Sequence, residues 1–296
     1  MVNQINVKTI LNKSKKRDDW FLGNYTLNPY AGCSMACIYC YTRGSKYGGE
    51  YGSDVSVKLN AVPILKKQLK NSIKRNERGI IIVGSAADAY PSVEKDLTLT
   101  REMLGIIKRY KFPIHILTKS KLILRDMDVL NGIKEVAMLP AELVGKLENG
   151  VIISFSFSTL DEKLAKIIEP GAPSPIERLE TMKKYSDAGF KTGIVNMPTL
   201  PFLSDSNNEI ETIVKNAKKY GAYYILHAGL TLYGDAPDDC NTLYFNFLKE
   251  NYPDLLPEYE KLFKGSIASS KRYQNDVATR FGEISSRYNI KNRIIN

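Results

Sequence analysis

Apolar residues recur along this chain in two alternating rhythms. The runs "GIIIVGSAADAY", "FPIHILTKS", "VIISFSFST", "FKTGIVNMP" and "AYYILHAGLTL" are short and rich in β-branched residues, and they read as strands. Between them, "LNAVPILKKQLKNSIKR", Thr100 to Tyr110, a region from Arg125, Ser174 to Ala188 and Glu209 to Tyr220 carry apolar residues at helical spacing. With a further strand expected just before residue 28, this alternation predicts a parallel sheet with crossover helices. Asn131 to Gly150 reads as an irregular insertion. Beyond Gly234 the pattern turns helical and aromatic, through "DDCNTLYFNFLKENYPDLLPEYEKLF" to a basic last helix, "SSKRYQNDVATRFGEISSRY". We therefore expect an N-terminal extension over 1–20, a core over 21–233 and a helical extension over 234–296 that packs on or caps the core. No internal repeat or low-complexity linker divides the chain.

Polar residues gather at the C-terminal ends of the expected strands: Asp88, Thr118, Lys119, Ser156, Ser158 and His227. In βα barrels that edge is where sites are built. Alternation along "SFSFST" puts Ser154, Ser156 and Ser158 on one face, turned into the barrel, where buried hydroxyls need partners and suggest a ligand.

At 296 residues and 43% hydrophobic content the chain can bury a sizeable core, and disorder is excluded as its general state. Its 42 Lys+Arg against 32 Asp+Glu give a net charge of +10, which leans toward a polyanionic partner such as nucleic acid. No signal-peptide h-region and no apolar run of membrane-spanning length occurs, so the expected location is cytoplasmic, with no membrane partner. Four cysteines, three of them clustered, do not make a secreted disulfide framework.

Those three, Cys33, Cys37 and Cys40, stand as C-x3-C-x2-C in "NPYAGCSMACIYCY". Thiolates at this spacing can serve zinc or an iron–sulfur cluster. Structural zinc wants a fourth protein ligand, which would have to be the remote Cys240, His115 or His227. A cubane held by three cysteines instead leaves one iron open for an exogenous ligand.

The same pattern, with the aromatic Tyr39 just before the last cysteine, resembles the signature of the radical S-adenosylmethionine (SAM) superfamily. More closely, "LNPYAGCSMACIYCYTR", "TKSKLILRD" and "STLDEKLAKIIEPGAPSPIERLETMKKYSDAGFKTGI" are similar to blocks of the spore photoproduct lyase-like family, also described as DNA repair photolyase-like, in order from about Trp20 to Leu232. The resemblance implies a partial, open (β/α)6 barrel and a [4Fe-4S] cluster on Cys33, Cys37 and Cys40. It further implies SAM chelated at the open iron and cleaved to a 5′-deoxyadenosyl radical, with an electron donor such as flavodoxin or ferredoxin. A nucleic-acid substrate, in DNA lesion repair or modification, follows from the same family. Two departures stand out. Met35 replaces a frequent histidine, and Ser85 occupies the position at which true spore photoproduct lyases carry the cysteine that returns hydrogen to thymine. Repair of spore photoproduct itself is therefore not expected. A peptide or small-molecule substrate remains an alternative, as does a non-catalytic metal-binding module.

By the same resemblance, Tyr39 flanks the adenine of SAM, Lys119 and Ser156 contact SAM, and Met197, with Pro198, ends a strand whose backbone reads adenine. Arg178 either pairs with the SAM carboxylate or bridges Glu169. Asp88 and Tyr90, at a strand tip above the cofactor, are candidates for catalytic contacts, although Asp88 has a helix cap as its alternative. Cys240 is the remaining thiol able to donate hydrogen, with an ordinary buried cysteine as the other reading. His227 reads as a satisfied polar residue rather than a catalyst.

Overall fold

The computed structural model describes residues 3–48 and 55–295. Its framework is a seven-stranded sheet. Six strands run parallel and in chain order: β3 (Gly23–Leu27), β6 (Ile80–Val83), β7 (Ile114–Thr118), β8 (Val151–Phe157), β9 (Lys191–Thr199) and β10 (Tyr224–Gly229). Before them come β1 (Asn3–Ile5) and β2 (Leu11–Lys13), and between β3 and β6 lie β4 (Tyr30–Ala31) and β5 (Ser56–Lys58). The short β1, β4 and β5 form a separate three-stranded sheet, while β2 pairs antiparallel with β3 and covers the edge of the main sheet. Near-continuous apolar runs such as Ile80 to Val83 are what a parallel strand covered on both faces requires.

The crossovers carry α1 (Ala61–Lys74), α2 (Glu94–Leu97), α3 (Leu99–Arg109), α4 (Met127–Val136), α5 (Glu162–Ile168), α6 (Pro175–Asp187) and α7 (Asn207–Lys219). After β10 follow α8 (Cys240–Asn251), α9 (Leu256–Phe263) and α10 (Lys271–Arg287). The main core lies between the sheet and these helices, with Leu65, Leu69, Ile107, Leu130, Met182 and Val214 packed on Ile81, Ile116, Phe155 and Ile194. A second apolar layer, with Leu22, Ile80, Ile152, Val195 and Leu226, lines the opposite face of the sheet. The result is the partial six-unit barrel that the alternation of strands and helices predicts.

One segment departs from the reading of the sequence. Asn131 to Val136 belong to α4, because Leu130 and Ile133 continue its buried face despite the weak helix formers Asn131 and Gly132. Irregular chain begins only at Ala137. The last helix, α10, lies in the helical layer of the barrel, burying Val277, Phe281 and Ile284 in the main core, and Ile225 donates to the Lys291 carbonyl at 2.8 Å beyond its end. The more separate part of the C-terminal chain is α8 with α9, which builds an apolar cluster over the cysteine loop. Among the described residues no helix is long and apolar enough to cross a membrane.

Candidate active site

The three-cysteine loop leaves β4 as a series of tight turns. Ala36 N–H donates to the Cys33 carbonyl, Cys40 N–H to Cys37 and Arg43 N–H to Cys40, with Ala36 in the left-handed region at φ +52°. Both ends of the loop are anchored. On one side the Asn28 carboxamide accepts from Ala86 N–H at 3.0 Å and donates to Ser85 Oγ at 3.2 Å, and Tyr41 O–H reaches the Ser85 carbonyl at 2.9 Å. On the other, Ile38 N–H donates to the Ile168 carbonyl and Gly171 N–H to Met35. A side chain at 171 would bring its Cβ to 1.9 Å from the Ser34 carbonyl oxygen, so only glycine permits this approach. Arg43, 7% exposed, ties the loop to the C-terminal chain, its Nε donating to the Cys37 carbonyl and its Nη1 to Asp238.

Cys37 is buried and Cys33 and Cys40 partly so. Burial pushes the Cys33 thiol up to about 11, with Asp88 and Cys40 adding to the rise. Burial also raises Cys37, against the pull of Lys119, while Glu169, Cys40 and Cys33 reinforce it. The three sulfurs thus share one electrostatic neighbourhood. Among the described residues no group of three or more His, Cys, Asp or Glu is gathered so as to hold a metal ion. A single zinc needs its sulfurs at about 2.3 Å from one centre; a cubane ligates its cysteines through different irons and does not ask for that convergence.

Beneath the loop, four residues singled out in the sequence meet around one that was named only as an alternative partner of Arg178. Glu169, 1% exposed, accepts on Oε1 from Tyr39 O–H and from Ser158 Oγ at 2.8 Å, and on Oε2 from Arg178 Nη2 at 2.6 Å. Lys119 Nζ lies 3.9 Å from Oε1, donates to Ser156 Oγ at 2.7 Å, and stands 5.9 Å from the centroid of the Tyr39 ring. Arg178 Nη1 donates to the Ser156 carbonyl at 2.8 Å. Burial works to raise the Glu169 carboxyl, but Arg178, Lys119 and the two hydroxyls outweigh it and hold the group below its ordinary range. Burial likewise lowers the Lys119 ammonium, and Glu169, Cys37 and Asp88 more than restore it.

Local sequence explains why these groups arrive together. Lys119 immediately follows β7, and Ser156 and Ser158 alternate on the inner face at the end of β8. Ser174 caps α6 in a reciprocal capping box with Glu177, with Pro175 in the first turn, which places Arg178 one turn in and facing Glu169. Asp161 caps α5, and Glu169 follows that helix directly. The signal for Glu169 was available: an acidic residue between a short amphipathic helix and a Pro-Gly pair, nine residues before an arginine.

The polar stripe on β8 is satisfied from within the protein. Ser156 and Ser158 have Lys119 and Glu169, and Ser154 bonds His115 Nε2 at 2.7 Å and Tyr224 O–H at 2.6 Å. The stripe alone therefore does not call for a ligand. Arg178 bridges Glu169, and its Nη1 and Nη2 are both engaged by protein oxygens, so its influence on the site passes through Glu169 and Ser156.

Asp88 lies in the loop beyond β6, where Gly84 turns the chain at φ +89°. Its carboxylate accepts from Tyr90 N–H at 2.9 Å, Thr118 Oγ1 at 2.8 Å and Lys119 N–H at 2.7 Å, tying the ends of β6 and β7 together beside Cys33. Burial raises it in spite of these donors. Tyr90 is not brought to this centre. Its ring is 1% exposed in the main core, within electrostatic reach of Asp126, Tyr185 and Glu94 on the helical side, and its hydroxyl has no partner at hydrogen-bond geometry. Met197 stays half-exposed at the end of β9, beside the apolar layer of Val195 and Leu226. Cys240 is buried in the cluster over the cysteine loop, accepting from Tyr233 N–H at 3.1 Å. His227 stacks on Phe281 with centroids 4.4 Å apart.

The Radical SAM superfamily model matches residues 27–217. An uncharacterised protein of Methanocaldococcus jannaschii is 30% identical over 257 residues, covering 86% of this chain and 84% of that protein. One from Mycobacterium tuberculosis is 26% identical over 272 residues, covering 90% and 75%. Among solved structures, a mutant form of spore photoproduct lyase superposes with a TM-score of 0.68 at 14% identity, covering 97% of this chain and 79% of that one. The complex of that enzyme with dinucleoside spore photoproduct gives 0.62 at 14% identity, covering 96% and 78%. At these identities the likeness to the lyase is one of fold. The family match spans the cysteine loop, Lys119, Glu169 and Arg178 alike, and the chain belongs to the radical SAM superfamily.

Proposed function

We propose that this radical SAM enzyme holds a [4Fe-4S] cluster on Cys33, Cys37 and Cys40, cleaves SAM reductively, and acts on a nucleic acid other than spore photoproduct. The observation that carries the reading is the meeting of Tyr39 and Lys119 at Glu169, with Ser156 bonded to the Lys119 ammonium, directly beneath the loop that supplies the three thiols. The donor set suits such a cluster, being three soft sulfurs on one loop anchored at both ends. When bound, the cofactor pair supplies a 5′-deoxyadenosyl radical that abstracts hydrogen from a substrate.

The residues of the chain bind, orient and exclude water. Lys119, its side chain 11% exposed, offers a carboxylate one fixed ammonium, oriented by Ser156 and Glu169. Asp88 fixes the backbone from which that lysine springs. Tyr39 provides a ring whose hydroxyl is already engaged, so that an adenine meets an apolar face. The Met197 backbone, at the end of β9, remains the candidate for reading the adenine edge. Met35, Leu164, Leu230 and Tyr244 keep water from the loop.

Two features support the choice of substrate. The charge of +10 favours a polyanion, and the enzyme of similar fold is solved with a dinucleoside lesion. Ser85 argues against that same lesion, because a serine O–H bond is too strong to return hydrogen to a carbon radical.

Anaerobic reconstitution with iron and sulfide, dithionite reduction and quantification of 5′-deoxyadenosine test the reading. Product is expected from the wild type and not from Cys37→Ala. A full cluster that yields none, with or without DNA, would overturn it. Retention on single- or double-stranded DNA should fall steeply with salt, and salt-independent retention would remove the nucleic-acid assignment.

A further inference from the structure

Glu169 does more than neutralise Arg178. Its segment grips the cysteine loop through the backbone, Ile168 accepting from Ile38 N–H at 3.0 Å and Gly171 donating to Met35 at 3.1 Å. Its side chain then reaches the loop through Tyr39, β7 through Lys119, β8 through Ser158 and α6 through Arg178. One buried carboxylate thus faces two buried cations, and one of these, Lys119, lies over the Tyr39 ring two residues from Cys37. In so dry a setting each of these charges is weakly screened.

We infer that Glu169, its carboxylate buried beside Lys119 and Tyr39 beneath the cysteine loop, acts by its charge to set the electrostatic potential at which a cluster on that loop accepts an electron. The inference rests on the cluster proposed above. An added electron is stabilised by nearby positive charge and destabilised by negative charge, and net charge is among the factors that set iron–sulfur potentials. Lys119 pulls the potential up and Glu169 restrains it. Losing the carboxylate leaves Lys119 and Arg178 uncompensated, whereas losing the ammonium leaves Glu169 with Arg178 alone.

The test is an EPR-monitored redox titration of the reconstituted full-length protein as wild type, Glu169→Gln, Lys119→Met and the double variant. Glu169→Gln is expected to raise the potential, Lys119→Met to lower it, and the double variant to lie between. A purely structural role would lower iron content without opposed shifts. If Glu169→Gln fails to fold, Lys119→Met decides alone. A potential equal to that of the wild type, or two shifts of one sign, would overturn the inference. If the wild type itself takes up no cluster, the proposed function falls with it. A wild type that cleaves SAM while its potential ignores both charges overturns the inference only.

Discussion

Lowering the pH should destabilise the fold through His115 before most carboxylates titrate. The imidazole is 0% exposed on the inner face of the sheet. Nδ1 lies 2.9 Å from the Phe21 carbonyl, which can only accept, so Nδ1 carries the proton and Nε2 accepts from Ser154, which in turn accepts from Tyr224. A second proton on the ring finds an acceptor only if Ser154 turns its own hydrogen away from the imidazole, and one buried O–H, of Ser154 or of Tyr224, is then left without a partner. Burial accordingly lowers His115 from 6.5 to about 4. The unfolded chain takes up a proton near 6.5 and the folded one refuses it until about 4, so the unfolded state binds more protons across that window. Stability from this group is complete above 6.5 and is lost as pH falls to 4. At roughly 1.4 kcal/mol per unit the loss is about 3 kcal/mol. Urea unfolding of the wild type and His115→Gln across the window measures it, the glutamine keeping one donor and one acceptor but no titration. The wild type should lose about 3 kcal/mol more than the variant. Equal losses would refute the assignment of a neutral, trapped imidazole. His227, lowered to about 4 by burial but still partly exposed, adds a smaller loss of the same sign in both proteins.

Other perturbations separate the supports of the site. Arg178→Met leaves Glu169 with Lys119 alone and should cost about 3 to 5 kcal/mol in chemical denaturation, as expected for one partner of a buried pair. Gly171→Ala drives a Cβ into the Ser34 carbonyl and should reduce the iron bound per chain on reconstitution. Gly105→Ala, on the solvent face of helix α3 with nothing within 4 Å of the new Cβ, should instead stabilise the protein by about 0.5 to 1 kcal/mol in the same denaturation assay.

The barrel was legible because its strands are buried on both faces and its helices on one, so periodicity and β-branching separated them without tertiary help. The helix α5 was not, since seven residues provide barely two turns of pattern and its stability comes from the Asp161 cap and from Leu164 and Ile168 docking beneath the cysteine loop. The cysteines announced themselves by spacing. Glu169 left only a faint mark, an acidic residue before a Pro-Gly pair, because its importance lies in which distant residues it joins, from Tyr39 to Arg178. Tyr90 shows the opposite failure. The sequence puts Asp88 at a strand tip and so turns a residue two positions later toward the site, but the loop beyond β6 carries the Tyr90 ring into the helical layer.

The inner face of β8 explains how one strand serves both stability and chemistry. Ser154 lies one tier down, joined to His115 and Tyr224, all three with 0% exposure, and it seals the barrel with a neutral network. Ser156 and Ser158 lie one and two steps of the alternation higher, where the partners become the ions Lys119 and Glu169. A hydroxyl lost from the neutral tier strands His115 and Tyr224 and should act on folding. A hydroxyl lost at Ser156 frees the Lys119 ammonium and should act first on cofactor affinity, as the ammonium still has Glu169 at 3.9 Å. Ser154→Ala should therefore lower the denaturation midpoint with little change in SAM binding once folded. Ser156→Ala should weaken SAM binding at nearly unchanged midpoint, and a reversal of that pattern would place the boundary between scaffold and site elsewhere on the strand.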